Sequence, residues 1–103
     1  MRVRLLWLMA LAGFVAGCGD DGSKVLLGGL DKDLKDRIEA ALQVQDVDCV
    51  SANHAYPATD PKNVCNRGRR GAGVQLELTM KLRSSPVQVA KLVAAVRQAI
   101  DSH

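Results

Sequence analysis

The chain has 103 residues and a net charge of +3, with 14 lysines and arginines against 11 acidic residues. This length allows one small domain and leaves no room for a second. It contains one tryptophan, one tyrosine and one phenylalanine, which excludes the aromatic stacking platforms used by single-stranded nucleic-acid binders. Two of the basic residues, Arg2 and Arg4, precede an apolar segment at the N-terminus, so the domain that follows is close to neutral.

The N-terminal segment has the pattern of a secretory signal peptide. Arg2 and Arg4 are followed by an apolar run over residues 5–14, which is too short for a comfortable permanent span of a bilayer. The run ends in Val15-Ala16-Gly17-Cys18, which resembles the lipobox of bacterial lipoproteins. Residues 1–17 are therefore predicted to be a signal peptide.

The resemblance to bacterial lipoproteins implies a lipid on Cys18, with palmitate among its acyl chains. Two or three such chains give stable membrane attachment. It also implies a location outside the cytoplasm. If the organism has an outer membrane, that membrane is favoured, because Gly19 rather than an aspartate follows the cysteine. Residues 18–29 are then a flexible tether, since their polar and glycine-bearing start has no periodicity.

A helix is predicted from Leu30, where apolar residues begin to recur at spacings of three and four. Asp31 is its expected N-cap, and pairs such as Asp33 and Arg37 place opposite charges four residues apart on the solvated side. The predicted buried face consists of Leu30, Leu34, Ile38, Ala41 and Leu42.

Two strands are predicted after this helix. Residues 44–50 mix β-branched and acidic residues and indicate a short strand, with Val47 and Cys49 on one side. Residues 74–83 alternate without interruption between apolar and polar side chains. This pattern indicates a strand with one covered face, which includes Met80, and one wet face.

A second helix is predicted from Pro86, with Ser85 as its N-cap and Gln88 completing the capping pattern. Its apolar face consists of Val89, Leu92, Val93, Val96 and Ile100. The order α-β-β-α predicts one small α+β domain over residues 30–103. We expect a two-stranded antiparallel sheet with both amphipathic helices packed on one face.

Cys49 and Cys65 remain as a pair once Cys18 carries a lipid. In a protein exported to an oxidising compartment, a disulfide between them is the expected outcome. It would close a 15-residue loop and stabilise the domain by about 3 kcal/mol. The alternative is a metal or redox site using Cys49, His54 and Cys65, although this spacing lacks the short Cys-x-x-Cys unit of zinc sites.

The long connection over residues 51–73 is where we expect binding, because long loops without secondary structure are often functional. Tyr56 either contacts a partner or folds onto the core, and His54 lies beside it in the sequence. Arg67, Arg69 and Arg70 form a concentrated positive charge suited to lipid phosphates, a polyanionic envelope polymer or an acidic protein surface.

No arrangement of nucleophile, base and acid stands out in the sequence, so we predict that the chain is not an enzyme and needs no cofactor. The predicted function is that of a lipid-anchored cell-envelope lipoprotein acting as a binding or structural accessory. Its partners would be the membrane, through the lipid, and an envelope protein or anionic envelope component, but no nucleic acid. The alternative is an extracytoplasmic metal- or redox-handling protein.

Overall fold

A mixed β-sheet organises the part of the chain described by this computed structural model, which is the backbone of β1 (Leu5–Ala10) and all of residues 22–102. β2 (Val25–Gly28) pairs antiparallel with β4 (Gly73–Leu78) and parallel with β3 (Cys49–Val50). β1 pairs in parallel with the other side of β4, which gives the order β1-β4-β2-β3. The fold is α+β as predicted. The prediction of a two-stranded antiparallel sheet is wrong, because the sheet has more strands and is mixed.

The predicted signal peptide and tether contain two of these strands. The backbone of β1 lies within residues 1–17 and is in register with β4 from end to end. β2 lies within the tether predicted for residues 18–29, yet Val25 and Leu27 are completely buried. Short apolar runs are equally compatible with an export signal and a buried strand, so the sequence did not separate the two. Cys18 and its predicted lipid lie outside the described residues.

The first helix, α1, covers Lys32–Val44 and packs its predicted face into the core. Asp31 is its N-cap, with Oδ1 accepting from the backbone N–H of Leu34 at 3.0 Å. The predicted ion pair between Arg37 and Asp33 is present at 3.1 Å. Leu30 is the exception, because it precedes the helix and stays 39% exposed. The rest of the predicted face is buried, namely Leu34, Ile38, Ala41 and Leu42.

The long strand predicted over residues 74–83 ends early, at Leu78. Thr79 caps a short helix, α2 (Met80–Arg83), by accepting from the N–H of Leu82 at 3.4 Å. Leu82 is still buried. Met80 is 50% exposed, so the prediction that it belongs to the core is wrong. Residues 78 and 82 are four apart, so they satisfy both strand alternation and a helical turn.

The last helix, α3, covers Pro86–Asp101 and begins as predicted, with the Ser85 side chain accepting from the N–H of Gln88 at 3.3 Å. Its buried face is rotated from the predicted one toward Ala95 and Ala99. Small residues on this face let α3 pack closely on α1, because the distance between helix axes depends on the side chains at their contact. In the described part of the chain, no helix has the length and apolar character needed to cross a bilayer.

The predicted disulfide is absent, since Cys49 and Cys65 are both free. Cys49 is opposite Val25, at the start of β2. Cys65 lies in a 3₁₀ turn, Val64–Asn66. The side chain of the adjacent Asn66 accepts from the N–H of Leu30, which lies beyond the end of β2. The two cysteines are therefore at opposite ends of the strand, on the order of 15 Å apart by strand geometry, whereas a disulfide requires Cα atoms within about 7 Å.

Asn66 connects three separate segments at the far end of β2. Its Oδ1 accepts from the N–H groups of Leu30 at 3.0 Å and Gly73 at 3.1 Å. Its Nδ2 donates to the carbonyl oxygens of Ala58 at 2.8 Å and Asp60 at 3.1 Å. The side chain is 2% exposed, so water cannot replace these bonds.

Replacing Asn66 with alanine is expected to lower the free energy of unfolding by about 3 to 5 kcal/mol, because buried donors and acceptors lose their partners. The matched control is Asn63→Ala, which removes one hydrogen bond to the N–H of Cys65 and is expected to cost about 1 kcal/mol. Urea denaturation of both variants measures the difference. Equal losses would contradict the connecting role of Asn66.

Candidate active site

The sheet has a second face, turned away from the helices, that carries two buried polar residues. Val74, Leu76 and Leu78 of β4 point into the core beneath the helices. Gln75 and Glu77 alternate with them and point the other way. We predicted that this face is wet, but the two side chains are only 7% and 2% exposed.

The loop between β3 and β4, residues 51–72, crosses this second face at Gly28. A Cβ atom at that position would lie 2.4 Å from the carbonyl oxygen of Tyr56 and 2.7 Å from that of Pro57. The next residue, Gly29, donates its N–H to Pro57 at 2.8 Å and has a φ of +113°, which favours glycine. The Gly28-Gly29 pair therefore allows the loop to lie directly on the strand.

His54 holds the start of this loop against β2. Its Nε2 is 2.7 Å from the carbonyl oxygen of Leu27, and its Nδ1 accepts from the N–H of Tyr56 at 3.0 Å. This arrangement requires the neutral ring with its proton on Nε2. β3 pairs only with Val25 and Leu26 of β2. The carbonyl oxygen of Leu27 therefore has no partner on β3, and His54 Nε2 takes that place. The Tyr56 side chain is half-buried and thus partly available for contact.

Glu77 is a buried carboxyl group with an unused acceptor. Among the described residues, its Oε1 has no hydrogen-bond partner. Burial raises the pKa of Glu77, and the positive charge of Arg83 only partly opposes this effect. A buried carboxyl group with a raised pKa is typical of general acids and bases, because the raised pKa makes its carboxylate a better proton acceptor.

Arg67, Arg69 and Arg70 are exposed on a turn at the N-terminal end of β4. The turn is closed by the N–H of Gly71 donating to Gly68 at 2.9 Å. Glu77 lies four residues beyond the start of the strand, or about 13 Å along it. The three guanidinium groups are thus at one end of β4 and the buried carboxyl group is toward the other.

The described residues do not form the metal or redox site considered from Cys49, His54 and Cys65. No group of three or more histidine, cysteine, aspartate or glutamate residues comes together within the described part of the chain. The two cysteines are at opposite ends of β2, and both ring nitrogens of His54 have hydrogen-bond partners. That alternative is therefore wrong.

Comparison with known proteins gives the family. Residues 10–99 match the sequence model of the poly-γ-glutamate hydrolase family. The chain belongs to this family. A solved bacteriophage poly-γ-glutamate hydrolase shares its fold with a TM-score of 0.70 and 22% identity, over 94% of this chain and 50% of that one. A zinc-free apo form of YNDL gives a TM-score of 0.69 at 14% identity, over 93% of this chain and 51% of that one.

No curated protein sequence matches the chain significantly, and the chain spans about half the length of the two solved structures. The family match nevertheless overturns our predictions of a bacterial lipoprotein, of a non-enzymatic accessory and of a chain that is not an enzyme. The lipoprotein prediction rested on about 18 residues at the N-terminus. The match covers most of the chain, including the part for which we had identified no family.

Glu77, the only buried glutamate among the described residues, was not predicted from the sequence as a functional residue. Its position in an alternating strand was interpreted as solvent-exposed. The alternation itself carries no information about whether the polar side is covered. Of the predicted binding residues, the structure places His54 and Tyr56 in the loop that crosses the second face, whereas the three arginines lie apart on the turn before β4.

Replacing Glu77 with glutamine is expected to raise the free energy of unfolding at neutral pH by about 1 kcal/mol or more, because it removes a buried charge that lacks full hydrogen bonding. The raised pKa in the folded state means that the wild type loses stability as pH rises from the ordinary value of 4.5 through the raised one. The stability difference between variant and wild type should grow over this range.

Thermal or urea unfolding from pH 4 to pH 8 measures this difference. The control is Glu39→Gln on α1, which removes a carboxylate that accepts from Ser51 Oγ at 3.1 Å. This variant controls for the replacement of a glutamate by glutamine away from the second face. A Glu77→Gln difference that is flat with pH would show that the carboxyl group is not destabilised by burial.

Proposed function

We propose that this chain hydrolyses the amide bonds of poly-γ-glutamate, with Glu77 as the general base. The observation that carries the proposal is a buried, incompletely hydrogen-bonded carboxyl group in a chain that matches the hydrolase family over residues 10–99. Each residue of this polymer has a free α-carboxylate, and consecutive residues are joined by an amide at the γ-carbon. A suitable site therefore needs a proton acceptor near the amide and cations for the carboxylates.

In the proposed reaction, the ionised Glu77 removes a proton from a water molecule as its oxygen attacks the amide carbonyl carbon. The carbon–nitrogen bond then breaks, and the proton from Glu77 passes to the leaving nitrogen. The products are a γ-carboxyl group on one fragment and an amino group on the other. Burial favours this role because a carboxylate with a raised pKa is a stronger base than one in water.

Access to Glu77 requires a local movement, since the side chain is 2% exposed. The loop over residues 51–72 crosses the same face at Gly28. We expect the polymer to reach the carboxylate when the covering of this face opens. Such covering also excludes bulk water, which strengthens electrostatic interactions inside the site.

The arginine turn is suited to hold the polymer beside this face. Arg67, Arg69 and Arg70 are exposed and close together in sequence. A guanidinium group forms paired hydrogen bonds with a carboxylate, and the polymer presents one α-carboxylate on every residue. Because the turn and Glu77 are toward opposite ends of β4, one stretch of the polymer would bind at the turn while an amide bond in another stretch is cleaved at Glu77.

Glu77→Gln is expected to reduce the rate of polymer cleavage by at least about 100-fold, because an amide side chain cannot accept the proton. New amino groups released from poly-γ-glutamate measure the rate. Glu39→Gln provides the control, since Glu39 belongs to α1, on the opposite side of the sheet. A Glu77→Gln protein with the wild-type rate would refute the proposed mechanism.

Replacing Arg67, Arg69 and Arg70 together with alanine is expected to weaken polymer binding about tenfold at low salt, from roughly 0.5 kcal/mol for each exposed charge pair. The effect should shrink as salt is added. Fluorescence anisotropy of labelled polymer measures the affinity. The matched control removes the same charge from Lys81, Lys91 and Arg97, and an equal loss of affinity there would show that only net charge matters.

A further inference from the structure

The described residues do not offer the ligands of a zinc site beside Glu77. A catalytic zinc ion is normally held by three protein side chains, drawn from histidine, cysteine, aspartate and glutamate. Across the sheet, Glu77 is in register with Leu26 of β2 and with the backbone of Met9 in β1, and Gln75 is two residues away on the same strand. Within residues 5–10 and 22–102, no three side chains of the ligating kinds lie together.

His54 is the one histidine in this part of the chain, and it is already fully bonded. A histidine that binds zinc through one nitrogen usually donates the other N–H to a carbonyl or carboxylate. The Nε2 contact to Leu27 fits such a donor, at 2.7 Å. The remaining nitrogen, Nδ1, accepts from the N–H of Tyr56 at 3.0 Å, so a metal ion would have to break the turn at the start of the loop.

The cysteines are unsuited for a different reason. Only the thiolate form binds zinc well. Burial, followed by the Glu39 and Asp48 carboxylates, raises the pKa of Cys49 to about 11. Burial also raises the pKa of Cys65. These thiols are at opposite ends of β2, so they cannot share one ion even when ionised.

We infer that residues 22–102 of this chain form no zinc site of their own when they act on the glutamyl polymer, an inference that rests on the proposed function and concerns the cofactor of the same site. Its carboxylate-binding groups are the guanidinium groups of Arg67, Arg69 and Arg70. The buried carboxyl group of Glu77 accepts the proton without a metal-bound water. The chain thereby differs from YNDL, whose zinc-free form is described as an apo state.

The test measures zinc uptake and polymer binding by the full chain, free of any affinity tag. The protein is dialysed against zinc chloride at about 10 µM free metal, where a structured site would be saturated, and bound zinc is measured by mass spectrometry. The affinity for labelled poly-γ-glutamate is then compared in EDTA and in zinc. The same measurements are made on a variant in which the ligating side chains outside the described residues, Cys18, Asp20, Asp21 and His103, are replaced with alanine. We expect much less than one zinc ion per chain of this variant and less than a twofold change in its affinity.

One zinc ion per chain of this variant would overturn the inference, because the described residues would then hold the ion. A tenfold or larger gain in polymer affinity on adding zinc would also overturn it, because polymer and protein would then form a shared metal site. Neither result depends on cleavage. A chain that takes up no zinc and binds no polymer would instead refute the proposed function, and the zinc measurement would still support the inference.

Discussion

The pairing of β2 with β4 is the constraint on which the rest of the structure depends. It brings Val25–Gly28, from the N-terminal part of the chain, against a strand that begins at Gly73. The loop between β3 and β4 can follow only because Gly28 leaves room for the backbone of Tyr56 and Pro57, and Gly29 leaves room for the backbone of Gly73. Asn66 then fixes the loop to both strands through four hydrogen bonds. Backbone groups that would otherwise be buried without partners are satisfied in this way.

The same sheet creates a conflict between stability and chemistry at Glu77. Its apolar neighbours on β4 supply part of the core, whereas the carboxyl group points to the other face and is buried there. A buried charge with an unused acceptor is costly, and proteins retain such groups where a reaction needs them. The raised pKa of Glu77 reflects this cost, and the proposed role as a general base gives a reason for keeping the group.

The shared fold and the metal-ligating side chains of the described residues answer different questions about this chain. Two solved structures share the fold over more than nine-tenths of this chain, but the chain spans about half of each. The described part of the chain contains a buried carboxyl group at Glu77 and lacks a group of three zinc ligands. A shared fold therefore does not by itself give the chemistry of a site, because function depends on particular side chains rather than on the architecture.

The sequence by itself determined the local features of this protein. Asp31 and Ser85 begin helices as predicted, because capping depends on residues three positions apart. The buried face of α1 follows from helical periodicity in the same way. Only the tertiary structure decided that β2 is a buried strand, that Cys49 and Cys65 are separated, and that Glu77 is covered. Each of these depends on which distant segment lies against the residue, and a pattern of neighbouring residues contains no such information.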